Sequence, residues 1–211
     1  MEKLETICEQ IHIAFEASTA ARDQALALSR TLTRHCANAI RAVHRQEGTT
    51  AHQYIEKATH IVSQLRSELA DYPDLYYAGY TQAALKEYVE ACIVHALVNN
   101  HSIPTPENLK VEYATYLQGL AESVGELRRR CLDILRHGYS DEAERLLINM
   151  DDIYNVLVTM DYPEAITGGL RRLTDIVRSI NERTRGDLTH SYRQGQLETA
   201  LKRLEDRLNA S

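Results

Sequence analysis

The feature that most limits what this chain can become is a helical hydrophobic period running through nearly all of its 211 residues. Leu4, Ile7, Cys8 and Ile11 fall at i, i+3, i+4 and i+7, and Leu28, Leu32, Cys36, Ile40 and Val43 continue one stripe. Ala58, Ile61, Val62, Leu65 and Leu69 mark a second helix, and Leu197, Leu201, Leu204 and Leu208 form a heptad-like stripe near the end. Residues so spaced share one face of a helix, whereas a half-buried strand needs strict alternation. Alternation never persists here. "CIVHALV" at 92–98 has strand propensity but lies inside a longer helical pattern.

The breaks between helices are short. "RQEGTT" at 45–50 is the first, and "ADYPDL" at 70–75 gives a turn with a restart near Pro73. "NNHSIPTPEN" at 99–108 is the clearest loop. In "RHGYSDEAE", Gly138 reads as a helix C-terminal cap and Ser140 as the next N-cap, with Glu144 nearby. A further helix ends near "MDYPEA" at 160–165, and Gly186 in "RTRGDL" reads as a stop with Asp187 starting the last helix. No linker is long enough to separate domains. The expectation is one all-α domain over 1–211, a bundle of about seven helices.

Several function classes drop out. The start, "MEKLETICEQIHIAFEAS", has neither a basic leader nor a continuous apolar stretch, and nowhere do 18 apolar residues run together, so neither a signal peptide nor a membrane span is expected. Cys8, Cys36, Cys92 and Cys131 are scattered with no C-x-x-C pair, which suits reduced, mostly buried thiols in a cytoplasmic protein. Walker, G-x-G-x-x-G, G-x-S-x-G and H-E-x-x-H motifs are missing. A net charge of −6 argues against a generally basic nucleic-acid coat, though a partner feels the local field more than the total.

Against this background "LKEYVEA" at 85–91 stands out. On the helical wheel Leu85, Val89, Cys92, Ile93 and Ala96 share one side; Glu87 and Glu90 lie roughly opposite, about 60° apart. Their neighbours there are Ala83, Val94 and Val98 rather than a charged face. Like charges on a poorly solvated face cost energy until a proton or a cation offsets them. Carboxylates at i, i+3 can reach one Mg²⁺ or Mn²⁺ ion, whose preferred ligands are oxygens. A plain solvated acidic patch has the same spacing.

A second acidic helix, "YLQGLAESVGELRRRCLDIL", carries a core stripe of Leu117, Leu120, Val124, Cys131 and Leu135. Glu126 has Arg129 and Arg130 at ion-pair spacing, a structural role. Glu122 has Gln118, Gly119 and Gly125 around it, small or neutral residues that permit close approach of a ligand, and is the better functional candidate. Twelve tyrosines against one Phe and no Trp, with Tyr72, Tyr76, Tyr77, Tyr80 and Tyr88 crowded together, suit either helix packing or stacking on bases.

At these residues the sequence resembles the translin superfamily, translin and translin-associated factor X, and its archaeal members in particular. "LKEYVEA" and "YLQGLAESVGELRR" at 116–129 are similar to two segments of translin-associated factor X. "LSRTLTRHCANAIRAVHR" at 28–45 is similar to its early helix, and "MDYPEAITGGLRRLTDIVRSINERTRGDL" to its C-terminal hairpin, so the likeness runs from roughly 22 to 188. It implies a seven-helix subunit assembling into a hollow octameric shell that binds single-stranded RNA or DNA, and, in one branch, a Mg²⁺-dependent endoribonuclease. It implies Glu87, Glu90 and Glu122 as the catalytic and metal-holding acids, with Glu122 where the family has Asp and Thr31 where the early helix has an acid. Translin itself lacks the acidic set, so the three acids favour the nuclease branch. A non-catalytic binder of the same shape is the alternative, and a purely structural scaffold for a protein partner is a third. For the nucleic-acid surface, Arg171, Arg172 and Arg178 with Tyr80 are the candidates, beside Arg183 and Arg185 on the same stretch and Arg128–Arg130 elsewhere.

Overall fold

The computed structural model describes residues 2–209, with side chains from Lys3 onward. Among these residues there is no strand and there are nine helices: α1 (Glu2–His44), α2 (Gly48–Glu68), α3 (Pro73–Tyr76), α4 (Gly79–Val98), α5 (Pro106–Leu109), α6 (Tyr113–Leu135), α7 (Asp141–Val158), α8 (Glu164–Thr167) and α9 (Leu170–Asn209). Six are long; α3, α5 and α8 are single turns of four residues. No helix among the described residues is long and apolar enough to cross a membrane. Packing divides the chain into two compact units, the first reaching Cys92 and including Pro104–Tyr116, the second comprising Ile93–Ile103 and the chain from Leu117.

In the first unit the second half of α1 packs along α2. Leu32, Cys36, Ala39 and Ala42 of α1 and Ala51, Ala58 and Leu65 of α2 are fully buried; the alanines let the two helices lie close. Pro73 occupies the first turn of α3, where its missing N–H costs nothing. Arg66 of α2 then ties the neighbourhood together, donating to the Tyr76 hydroxyl at 3.0 Å and the Lys110 carbonyl at 2.9 Å. The start of α4 is fixed by Thr81 donating to the Leu75 carbonyl (2.8 Å) and Gln82 to that of Tyr76 (2.9 Å). In the long loop Thr105 and Asn108 form a reciprocal capping box for α5.

In the second unit α7 packs on α9. Gly138 takes φ +105° and Ser140 accepts from the Glu142 N–H at 3.2 Å, the cap pair that the sequence indicates. Buried Asn181 donates to the Met150 carbonyl at 2.8 Å. Gly186 does not end a helix: α9 runs through it to Asn209. An exposed glycine inside a helix costs only about 1 kcal/mol relative to Ala, and burial of Thr184 and Leu188 on either side offsets that. Asp187 caps nothing; its carboxylate pairs with Arg128 at 2.8 Å.

Both ends of the chain carry apolar side chains in water. Leu4, Ile7 and Ile11 of α1 and Leu197, Leu201, Leu204 and Leu208 of α9 are all exposed.

Candidate metal centre and nucleic-acid surface

Helix α4 is buried around most of its circumference. Ala84, Leu85, Tyr88, Val89, Ala91, Cys92, Ile93, Val94 and Ala96 are all buried, so Glu87 and Glu90 belong to a narrow, half-buried polar strip rather than an open acidic face. Of the three apolar neighbours expected beside them, Val94 is buried, Val98 half-buried and Ala83 exposed. Sequence reasoning missed Lys86 on the same strip. It stands four residues before Glu90, a helical ion-pair spacing, and that spacing was the signal that could have found it. Lys86, Glu87, Glu90 and Glu122 all interact with other groups of the protein.

The structure brings the three candidate acids together. Glu87, Glu90 and Glu122 each offer a carboxylate oxygen, and these oxygens lie within 4.8 Å of one another, each residue partly buried. All the donors are hard oxygens, the set preferred by Mg²⁺ and Mn²⁺ over softer metals.

The nearby thiols do not compete. Burial pushes the Cys36 thiol well above its ordinary pKa, and Cys92 and the Glu87 and Glu90 carboxylates push it the same way. Burial holds Cys92 at about 12. Both therefore stay protonated at neutral pH, poor ligands and poor nucleophiles. Cys131 is likewise buried and raised to about 12, and Cys8 is exposed; all four cysteines are free, as their scatter suggests.

The tyrosine cluster divides. Tyr88 is buried, its hydroxyl 2.8 Å from that of Thr59, and Tyr76 is buried between Arg66 and Glu112, so both pack helices. Tyr80 is half-buried, and its hydroxyl is sealed from solvent with no hydrogen-bond partner among the described residues.

The arginines divide too. Arg128 pairs with Asp187 and donates to Thr184 at 3.0 Å; Arg130, 8% exposed, donates to Glu142 through Nε and Nη2 at 3.0 and 2.8 Å. Arg185 pairs with Asp151, and Arg178 with Glu182 at 3.0 Å. Arg183 donates to the Ser179 carbonyl on its own helix. Arg171 and Arg172 are exposed at the start of α9. Arg128 and Arg130 thus serve the fold.

No protein-family model matches the sequence. An uncharacterized protein of Methanocaldococcus jannaschii is 32% identical over 187 residues, 87% of this chain and 82% of that one. The crystal structure of AfC3PO superposes with a TM-score of 0.81 at 28% identity, and the structure of AfC3PO in complex with duplex RNA with 0.82 at 30%; each match covers 88% of this chain and 96% of the other. The chain belongs to the translin superfamily. Apo-NeC3PO, at 22% identity and a TM-score of 0.80, shares the translin fold across 87% of this chain. In this translin-superfamily chain the early helix departs at Thr31, whose hydroxyl donates to the Ala27 carbonyl at 2.9 Å one turn back. Thr31 therefore satisfies itself on its own helix and adds no carboxylate.

Proposed function

We propose that this chain is a divalent-metal-dependent endoribonuclease acting on single-stranded RNA as a homo-oligomer of the shell-forming translin type. The observation that carries the proposal is the convergence of Glu87, Glu90 and Glu122 to within 4.8 Å. It is supported by the 30% identity to AfC3PO, a protein whose structure has been determined with duplex RNA.

Mg²⁺ or Mn²⁺ would be held by Glu87, Glu90 and Glu122. When bound there, such an ion supplies two things a phosphodiester needs for hydrolysis, acidification of water and an offset for charge at the phosphoryl group. The chain's own residues provide the rest. Helix α4 fixes two carboxylates at i, i+3, so their separation is set by the backbone rather than by side-chain search. Buried Tyr88, Val89 and Val94 stiffen the helix on either side of them. Partial burial strengthens the hold of each carboxylate on a cation relative to one in open water. Such chemistry requires no Ser, His or Cys nucleophile, and the protonated Cys36 and Cys92 leave the carboxylates as the reactive set. Arg171 and Arg172, both exposed, would engage phosphates.

Thr31 favours a second reading, a translin-like single-stranded nucleic-acid binder without catalysis, because it takes the place of an acid. One experiment separates the two. Labelled single-stranded RNA and DNA and a duplex control are digested with Mg²⁺, Mn²⁺ or excess EDTA, with the Glu87→Ala/Glu90→Ala/Glu122→Ala variant alongside. Nuclease function predicts metal-dependent cleavage of single-stranded RNA that the triple variant loses. Equal cleavage by the variant removes these residues from catalysis, and cleavage in EDTA removes the metal. Salt-sensitive binding without cleavage supports the binder.

A further inference from the structure

Arg66 of α2, Tyr76 of α3 and Glu112 just ahead of α6 form a hydrogen-bonded relay apart from the three clustered acids. Arg66 Nη1 donates to the Tyr76 hydroxyl at 3.0 Å, and that hydroxyl donates to Glu112 Oε2 at 3.2 Å. Burial first and the Glu112 charge second push the Tyr76 hydroxyl up to about 12, so it keeps the proton it donates. Glu112 Oε1 stands 3.8 Å from Arg66 Nη1, an ion pair too long to be a hydrogen bond. Arg66 therefore leaves the lone pairs of that oxygen to an incoming donor. The two charged heads sit at a cavity of about 310 Å³ that Leu69, Pro73, Tyr76 and Tyr77 also line. Tyr76 is buried, but its neighbour Tyr77 is 62% exposed, its ring edge-on to that of Tyr76 with 5.2 Å between centroids. An exposed aromatic ring at the rim of a cavity holding a carboxylate and a guanidinium is the arrangement that receives an unstacked base.

We propose that this cavity reads one base of a single-stranded RNA and prefers guanine, an assignment that rests on RNA being the substrate class argued above. The base stacks on Tyr77 and turns its Watson–Crick edge to Glu112. Guanine is the one base of the four with two adjacent donors on that edge, N1–H and N2–H, and a carboxylate accepts such a pair with both oxygens or in a fork on one. Adenine and cytosine offer one amino group beside a bare ring nitrogen. Uracil offers one ring N–H between two carbonyls, whose oxygens a carboxylate repels. Arg66, held beside Glu112 by Tyr76, donates to guanine O6, the acceptor next to N1–H. Donor and acceptor in the protein thus stand in the order that guanine presents its acceptor and donors.

The full-length chain is titrated in EDTA, where the proposed hydrolysis is off. The probes are labelled oligouridylates carrying one central guanosine, inosine or adenosine, and affinity is read by fluorescence anisotropy. Inosine keeps O6 and N1–H and lacks only the 2-amino group. The guanosine probe is expected to bind several-fold more tightly than the other two. Glu112→Gln keeps an acceptor for the Tyr76 hydroxyl and should bring the guanosine and inosine affinities together. Tyr77→Ala, at an exposed position, should weaken all three several-fold, and circular dichroism melting checks that both variants fold. Equal binding of guanosine and inosine probes by the parent chain overturns the pocket and leaves the RNA reading standing, as does a guanosine preference that survives both substitutions. Failure of every probe to bind overturns both. Guanosine preference in a chain that cleaves nothing supports the pocket and sinks only the nuclease.

Discussion

Arg145 of α7 donates its guanidinium to the carbonyl oxygens of Leu97 at 2.7 Å and Val98 at 3.3 Å, closing the C-terminal end of α4. The Leu97 carbonyl also accepts the Asn100 N–H at 3.2 Å just past the helix, and both carbonyls carry the negative end of its dipole. The helix so closed is the one that presents Glu87 and Glu90.

Arg145→Ala leaves these carbonyls without their charged donor. The expected loss is about 1–3 kcal/mol, a fall in Tm of several degrees for a chain of this size. Arg145→Lys keeps the charge without the two-pronged geometry and should fall between. Thermal denaturation followed by circular dichroism checks both; an unchanged Tm for Arg145→Ala would show that the contact contributes nothing.

Two glycines should respond in opposite directions to alanine. Gly168 sits at φ +61°, and a Cβ there would lie 2.4 Å from Gln118 Nε2, which donates to the Thr167 and Gly168 carbonyls at 3.1 and 2.9 Å. Gly168→Ala therefore incurs the left-handed penalty of about 1–2 kcal/mol and also displaces Gln118 from two hydrogen bonds. Gly186 lies inside α9 with open space where a Cβ would go. Gly186→Ala should stabilise by about 0.5–1 kcal/mol. Urea midpoints of the two variants read the difference in sign.

His35 should make stability depend on pH. Burial, followed by the charges of Arg34 and Lys57, lowers its pKa below 6.5, and its Nδ1 is enclosed without a partner. The folded state therefore resists protonation more than the unfolded one. Stability is complete above 6.5, where both states are neutral, and is lost as pH falls through the window below it. His35→Gln should flatten the stability profile from about pH 6.5 downward, as measured by denaturant unfolding across that range. A profile identical to that of the parent chain would assign the acid sensitivity to other groups.

The arginines give a contrast within nucleic-acid binding. Arg130→Ala strips a buried partner from Glu142 and should lower Tm. Arg171→Ala and Arg172→Ala should leave Tm in place and weaken RNA binding, each lost phosphate contact reducing the salt slope by about 0.7 on a single strand. Affinity measured at several salt concentrations beside Tm separates the two classes. A fall in Tm for Arg171→Ala would make that residue structural.

Local rules made much of this legible. Gly138 and Ser140 announce a helix boundary because glycine tolerates positive φ and a hydroxyl satisfies an N-terminal N–H, both short-range effects. Glu87 and Glu90 could be paired from spacing alone. Gly186 misled because a glycine ends a helix only when burial on both sides does not carry the helix onward, and the burial of Thr184 and Leu188 is set by packing. The contacts of Arg145 with Leu97 and of Gln118 with Gly168 span 48 and 50 residues, so no window of sequence contains them. The roles of Arg128 and Arg130 were hidden for the same reason, their partners Asp187 and Glu142 lying on other helices. Nor does a helical wheel reveal that α4 is covered on most sides, which turns an acidic patch into a half-buried strip.

Manganese binding tests the central claim most directly. Mn²⁺ is titrated into the intact chain and into Glu87→Gln, Glu90→Gln and Glu122→Gln, with free ion read by electron paramagnetic resonance. A carboxylate-held ion predicts saturable binding by the parent chain, strong weakening in every single variant and competition by Mg²⁺. Saturable binding undiminished in the three variants would contradict a metal centre built from these residues.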